Sequence, residues 1–206
     1  TTAEIIGYSG LNAVNSARAF LATVGADAAT MTAAVAGAQA AVAAATVAGS
    51  NEAGATTVLT TGQDILVGTA GADTFRAVAG LALGDQDQTT LNSSDIIDGA
   101  GGMDKLIVNM TGPNYFGGAR IKNIETLQIG TNQAAAAFDY NVNQGANEIT
   151  DVTTIVADQI NVDEALTVQN IVRTAGALPA LSWVNDSNTA VAGTVNYNYR
   201  AAELTG

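Results

Sequence analysis

The chain repeats part of itself, and the repeat constrains everything around it: Asp64 to Phe75 reads DILVGTAGADTF, and Asp95 to Leu106 reads DIIDGAGGMDKL. Without a gap the two copies match as D-I-(L/I)-x-G-x-x-G-x-D-x-(F/L), with two aspartates nine residues apart in each. Agreement at so many ordered positions points to stacked units that bury a shared core. Nine residues make one short strand and one tight turn, so turns stacked about 4.8 Å apart bring their aspartates and carbonyls side by side. Gly68, Gly71, Gly99, Gly101 and Gly102 are expected at positive-φ positions that aim carbonyls inward. Ile65, Leu66, Phe75, Ile96, Ile97 and Leu106 are expected to fill the core between turns.

Carboxylates combined with several carbonyl oxygens form a calcium-type ligand set, whereas magnesium demands a tighter octahedron and more water. The candidate ligands are Asp64, Gly68, Gly71 and Asp73 in the first copy and Asp95, Asp98, Gly99, Gly102 and Asp104 in the second, the glycines through their carbonyls. Asp98 is the preferred accessory ligand, and Asp85 and Asp87, in the excursion between the copies, are further candidates. The competing interpretation is that these aspartates only shape turns.

Composition narrows the chemistry. Nineteen acidic against 7 basic side chains give a net charge of −12, which disfavours a phosphate backbone and favours cations as partners. Histidine and cysteine are both absent, so a Ser-His-Asp triad, a Cys-His pair and an ordinary zinc site are excluded. The Gly101-Gly102 and Gly117-Gly118 pairs lack the lysine and spacing of a phosphate loop. Acidic residues gather in glycine turns rather than beside aromatic sugar platforms, which argues against glycosidase chemistry. No enzymatic activity is expected.

Along the chain the pattern changes once. Residues 1–49 read as an Ala-rich helical segment, with Val14, Ala17, Phe20, Leu21 and Val24 near helical spacing and a second run from Thr30 to about Ala48. That run lies within 24 uncharged residues between Asp27 and Glu52, long enough to raise the question of a membrane span. Ala, Thr, Gly and Gln supply little transfer energy, so a helix that packs through Met31, Val35 and Val42 and does not span a membrane is expected instead. Residues 50–56 have linker composition, and 57–206 read as a calcium-binding β domain. Short β-branched stretches there, such as Leu106-Ile107-Val108 and Leu166-Thr167-Val168, are separated by Gly, Asn and Asp turns. The fold class is therefore mainly β: a helical N-terminal segment followed by a β-solenoid or β-roll, or a β-sandwich. Glu125 is expected to face solvent or to pair with Lys122, Arg120 or a cation, and Tyr197 and Tyr199 to share one strand face.

Gly68, Gly71, Asp73 and Phe75, and likewise Gly99, Gly102, Asp104 and Leu106, occupy the first, fourth, sixth and eighth positions of a pattern that resembles the RTX-type repeat G-G-x-G-x-D-x-(L/I/F)-x of calcium-binding β-rolls. Thr69 and Ala100 stand where that pattern has its second glycine. Residues 56–130, including the run from Ile121 to Ile129, look like the entry to the β region of RTX-type surface-layer proteins of Gram-negative bacteria such as those of Caulobacter. The resemblance implies secretion by a type I exporter, calcium-dependent assembly of copies of the chain outside the outer membrane, and attachment to lipopolysaccharide or another cell-surface glycan. It makes the expected function that of a structural subunit in an extracellular layer. Two alternatives stay open: a subunit of an extracellular filament, and a calcium-dependent adhesin or glycan-binding module.

Overall fold

A computed structural model describes residues 10–50, 53–80, 89–115, 117–140, 149–158, 160–161, 163–172, 177–184 and 193–200. Asp85 and Asp87 lie outside these residues. Contacts divide the chain into two units, one formed by the helical segment through Ala55 with the turns Gly68–Asp73 and Gly99–Asp104, the other by the remaining strands.

Helices α1 (Gly10–Leu21) and α2 (Ala28–Ser50) pack against one another. The end of α1 is closed by Ala22 and Thr23 N–H bonds back to the Arg18 and Phe20 carbonyls. Asp27 then caps α2, its Oδ1 accepting the N–H groups of Ala29 at 3.0 Å and Thr30 at 2.9 Å. The packed side of α2 is only in part the one expected. Met31, Val35 and Val42 are exposed, Val35 by 79%, while Ala34, Gly37, Ala38, Ala41 and Ala45 are turned inward. With alanine nearly all round the helix, no large apolar stripe selects a face, and close backbone approach along small residues decides the contact. Phe20, Leu21, Val42 and alanines line an apolar groove of about 200 Å³ between the two helices, so of the three residues expected to pack only Val42 borders the neighbouring helix. By length and composition the stretch Ala28–Ala45 is apolar enough to cross a membrane, with 6% of it buried inside the protein.

The cap has a measurable consequence. Thr30 hydrogen bonds hold the Asp27 carboxyl below its ordinary value of 3.8. A depressed carboxylate stabilises the helix fully above the ordinary value and stops doing so as pH falls through the lowered one. The helical circular dichroism of the wild type should therefore weaken in acid, and Asp27→Asn, which keeps the capping oxygen, should remove that component. An unchanged acid profile in the variant would count against the cap.

The β region is a parallel solenoid, which resolves the expectation of a solenoid or sandwich in favour of the first. Its strands are β1 (Ala53–Val58), β2 (Ile65–Val67), β3 (Ala72–Ala79), β4 (Ile96–Asp98), β5 (Lys105–Met110), β6 (Asn114–Tyr115), β7 (Arg120–Lys122), β8 (Thr126–Thr131), β9 (Ala136–Asp139), β10 (Thr154–Asp158), β11 (Ala165–Ile171), β12 (Ala180–Val184) and β13 (Thr194–Tyr199). Sheet A has the order β1-β3-β5-β8-β10-β12, sheet B β2-β4-β7, and sheet C β13-β11-β9-β6. Strands of one sheet come from successive coils, and the coils β4-β5-β6 and β7-β8-β9 visit B, A and C in turn before the chain advances one rung. β1 starts at Ala53, inside the stretch expected to be linker. Its edge is ordered by pairing: Ala55 N–H bonds to the Asp73 carboxylate and Leu59 N–H to the Arg76 carbonyl.

Alternation builds the core. In sheet A the register aligns Phe75, Leu106, Leu127, Ile155 and Leu181 in one inward column and Ala77, Val108, Ile129, Ala157 and Trp183 in a second. Leu106, Leu127 and Ile155 are fully buried, and burying such an aliphatic contributes about 1.5–3 kcal/mol. Tyr115 and Phe138 stack in sheet C with ring centroids 4.8 Å apart, one rung spacing. The same alternation corrects two core assignments: Ile65, 66% exposed, and Ile96, its partner on the next rung, lie off the core because only Leu66 points inward from β2 and only Ile97 from β4.

Candidate functional site: stacked aspartate turns

The duplicated segments are consecutive coils, and each aspartate of the first lies over its counterpart in the second. Ile65, Leu66 and Val67 pair in register with Ile96, Ile97 and Asp98. The Asp64 N–H donates to the Asp95 carboxylate at 2.9 Å and the Asp73 N–H to the Asp104 carboxylate at 2.7 Å, each pair 31 residues apart. The sequence period of nine thus separates two corners of one coil, whereas the stacking period is 31. All four aspartates are buried, Asp95 and Asp104 to within 1% of full burial.

Buried carboxylates require compensation, and here backbone amides supply much of it. Asp64 accepts the Thr60 N–H at 2.8 Å and the Thr60 hydroxyl at 3.0 Å. Asp95 receives the Asn92 N–H at 2.7 Å on one oxygen and the Asp64 N–H on the other. Asp73 takes the Thr69 N–H at 2.6 Å on Oδ2 and the Ala55 N–H on Oδ1. Thr69 is the residue standing where the RTX pattern has its second glycine, and its hydroxyl bonds to the same carboxylate at 3.1 Å. A hydrogen bond to a charged acceptor is worth about 1.5–3 kcal/mol, so these turns are stapled from within.

Burial pushes the Asp95 carboxyl above its ordinary value of 3.8, against the lowering effect of the Asp64 and Asn92 amides and with a further push from the Asp64 charge. A carboxyl raised in the folded state contributes stability below the ordinary value and loses it as pH rises through the raised one. The charged form of Asp95 is thus the one its buried surroundings resist, and a cation placed beside it would relieve that resistance.

The glycines act differently from expectation. Of the five, only Gly102 has the left-handed backbone, with φ of 126°. Ala100 is the neighbouring positive-φ residue, at 67°. Gly68 is needed for space instead: a Cβ there would lie 2.4 Å from the Gly99 carbonyl oxygen. Backbones of successive coils approach so closely at this corner that a side chain on Gly68 would push them apart.

Asp98 does not turn toward the repeats. Lys122 Nζ lies 2.8 Å from its Oδ2, and the Asn123 side-chain amide donates to Oδ1 at 2.7 Å. The register explains this, because Asp98 and Lys122 are partners on adjacent rungs of sheet B. Glu125, expected at the surface or paired, is 6% exposed. It immediately precedes β8, whose first residue pairs with Lys105, and so takes in the third coil the place that Asp104 takes in the second. A gapped comparison against the third coil was the signal that would have found it. Tyr197 and Tyr199 both pack against the core, and the Tyr197 hydroxyl donates to the Ser182 carbonyl at 2.8 Å.

Among the described residues no three acidic side chains converge on one point. The aspartates meet in vertical pairs, one per corner, and their oxygens accept backbone amides and threonine hydroxyls. No protein-family model, curated protein or solved structure matches the chain.

Proposed function

We propose that this chain is a structural subunit of a secreted, calcium-dependent, self-assembling bacterial cell-surface layer. The observation that carries the reading is the stacking of two Asp-Gly copies in register on a parallel solenoid, with paired carboxylates at each corner. A carboxylate offers about four lone-pair positions. Oxygens that already accept one N–H keep capacity for a hard cation, and carbonyls and water complete the 6–8 oxygens that calcium takes. Asp64 with Asp95, and Asp73 with Asp104, are the pairs that would hold it. Secretion and attachment to lipopolysaccharide or another glycan enter through the family resemblance. The absence of His and Cys from the sequence, together with a corner chemistry of carboxylates, hydroxyls and amides, supports a non-enzymatic role.

Calorimetry on the full chain tests the metal. At least one calcium binding event is expected, with a weaker one or none for magnesium. Equal heats for both metals would argue against paired carboxylates as the ligands.

The filament alternative is favoured by one specific observation: among the described residues no strand pairs with the outer edges of sheet A. It would use the same subunit and the same corners but polymerise along one axis.

A further inference from the structure

Among the described residues, the inward columns of sheet A do not close at the last rung. Leu106, Leu127 and Ile155 are fully buried, yet Leu181, next in that column, is only partly covered. The second column runs through buried Ala77, Val108, Ile129 and Ala157 and ends on Trp183, which is 42% exposed. Val195 and Tyr197 end sheet C in the same half-covered way. The backbone is open as well. Ala180 N–H bonds to the Thr153 carbonyl on the β10 side, so by strand alternation the N–H and C=O groups of Leu181 and Trp183 face the outer edge. Among the described residues no strand pairs there.

Edges of this kind are ordinarily blocked by lysine, proline or an inward charge, and terminal coils by a polar cap. The described β12 edge, Ala-Leu-Ser-Trp-Val, carries none of these within the strand. The opposite edge of the same sheet, β1, reads Ala-Gly-Ala-Thr-Thr-Val and is equally uncharged, with Val58 66% exposed. What fits the β12 end is a parallel strand with small or apolar inward residues, and the chain carries one at the other end of sheet A.

We infer that β12 of one copy docks on β1 of the next, so that sheet A continues from copy to copy as a head-to-tail stack. The contact is heterologous: the two surfaces differ, and nothing in it closes the assembly. This deepens the self-assembly part of the proposed function and names its partner surface, but it does not depend on the metal.

Two inward charges test it, Trp183→Lys at the last rung and Thr57→Lys at the first. Wild-type full-length chain should form concentration-dependent oligomers in sedimentation velocity, in chelator as well as in calcium. Each variant alone should associate at least about ten-fold more weakly. Mixed in equal amounts, the variants should form dimers and stop, because the free tail of Thr57→Lys meets the free head of Trp183→Lys. Trp183→Ser, which removes the apolar side chain without adding charge, serves if the lysine variant loses its β signal, and should also weaken association. Self-association by Thr57→Lys alone would indicate a tail-to-tail contact and overturn the proposal. So would a monomeric wild type, which indicates that the edge is covered by the chain's own residues, or oligomers unaffected by any of the variants. A calorimetric failure to bind calcium with edge association intact would sink the metal reading alone.

Discussion

Gly102→Val should unfold the stacked corner and lower the melting temperature by about 6–12 °C, the shift expected from a loss of about 3 kcal/mol in a chain of this size. Two independent obstacles meet at this residue. Its φ of 126° is a conformation that a β-branched residue adopts only under strain. A Cβ would also lie 2.3 Å from the Gly71 carbonyl oxygen and 2.5 Å from its carbon, and backbone atoms of an adjacent rung cannot swing aside as a flexible side chain can. Gly68→Ala makes the informative comparison, because there only the space is missing. It should cost less than Gly102→Val if φ contributes, and the same if crowding alone decides. Melting followed by far-UV circular dichroism reads both. A Gly102→Val melting temperature within a degree or two of wild type would mean that the two copies do not stack at this corner.

How far the sequence disclosed this architecture depends on which interactions are local. The aligned copies Asp64–Phe75 and Asp95–Leu106 were legible because each rung must present the same residue types to the one beside it. The alternation that buries Leu106 and Val108 was legible for the same reason. The third coil was not. Its corner replaces Asp104 by Glu125, and the chain between β5 and β8 is shorter than that between β3 and β5, so no ungapped repeat survives. The helix face was hidden because nearly every residue from Ala28 to Ser50 is small, and backbone proximity rather than side-chain size chooses the contact. The contacts of Asp98 were hidden for a different reason. Sequence puts it beside Gly99 in an apparent calcium turn, but its partner Lys122 comes from the next rung and becomes visible only once the register of sheet B is known. The aspartate pairs themselves were identified, while their main occupation was not: which amide a carboxylate accepts from is a matter of coil geometry.

That occupation changes what removing calcium and what removing an aspartate should each do. Asp73 accepts one backbone N–H on each of its oxygens, from Ala55 and from Thr69. Asparagine has a single acceptor oxygen, so Asp73→Asn must turn an NH2 group toward one of those donors. The variant should lose about 2–3 kcal/mol whether calcium or a chelator is present. Calcium itself contributes less to one subunit. At a millimolar calcium concentration, a site with Kd of about 0.1 mM adds only about 1.4 kcal/mol by linkage. Under the proposed calcium-dependent assembly that increment would recur in every subunit, each with a net charge of −12, and would offset repulsion between the stacked carboxylates. Chelation should therefore disperse calcium-dependent higher assemblies into subunits or short stacks that keep most of their β signal, since the amide bonds to Asp64, Asp73 and Asp95 need no metal. Combining Asp73→Asn with Asp104→Asn should lower stability and raise the calcium concentration needed for assembly. Electron microscopy across a calcium series, paired with circular dichroism of the same samples, separates the two effects. If the chelated wild type keeps its higher assemblies and the double variant assembles at the wild-type calcium concentration, the four aspartates are staples of the solenoid and nothing more.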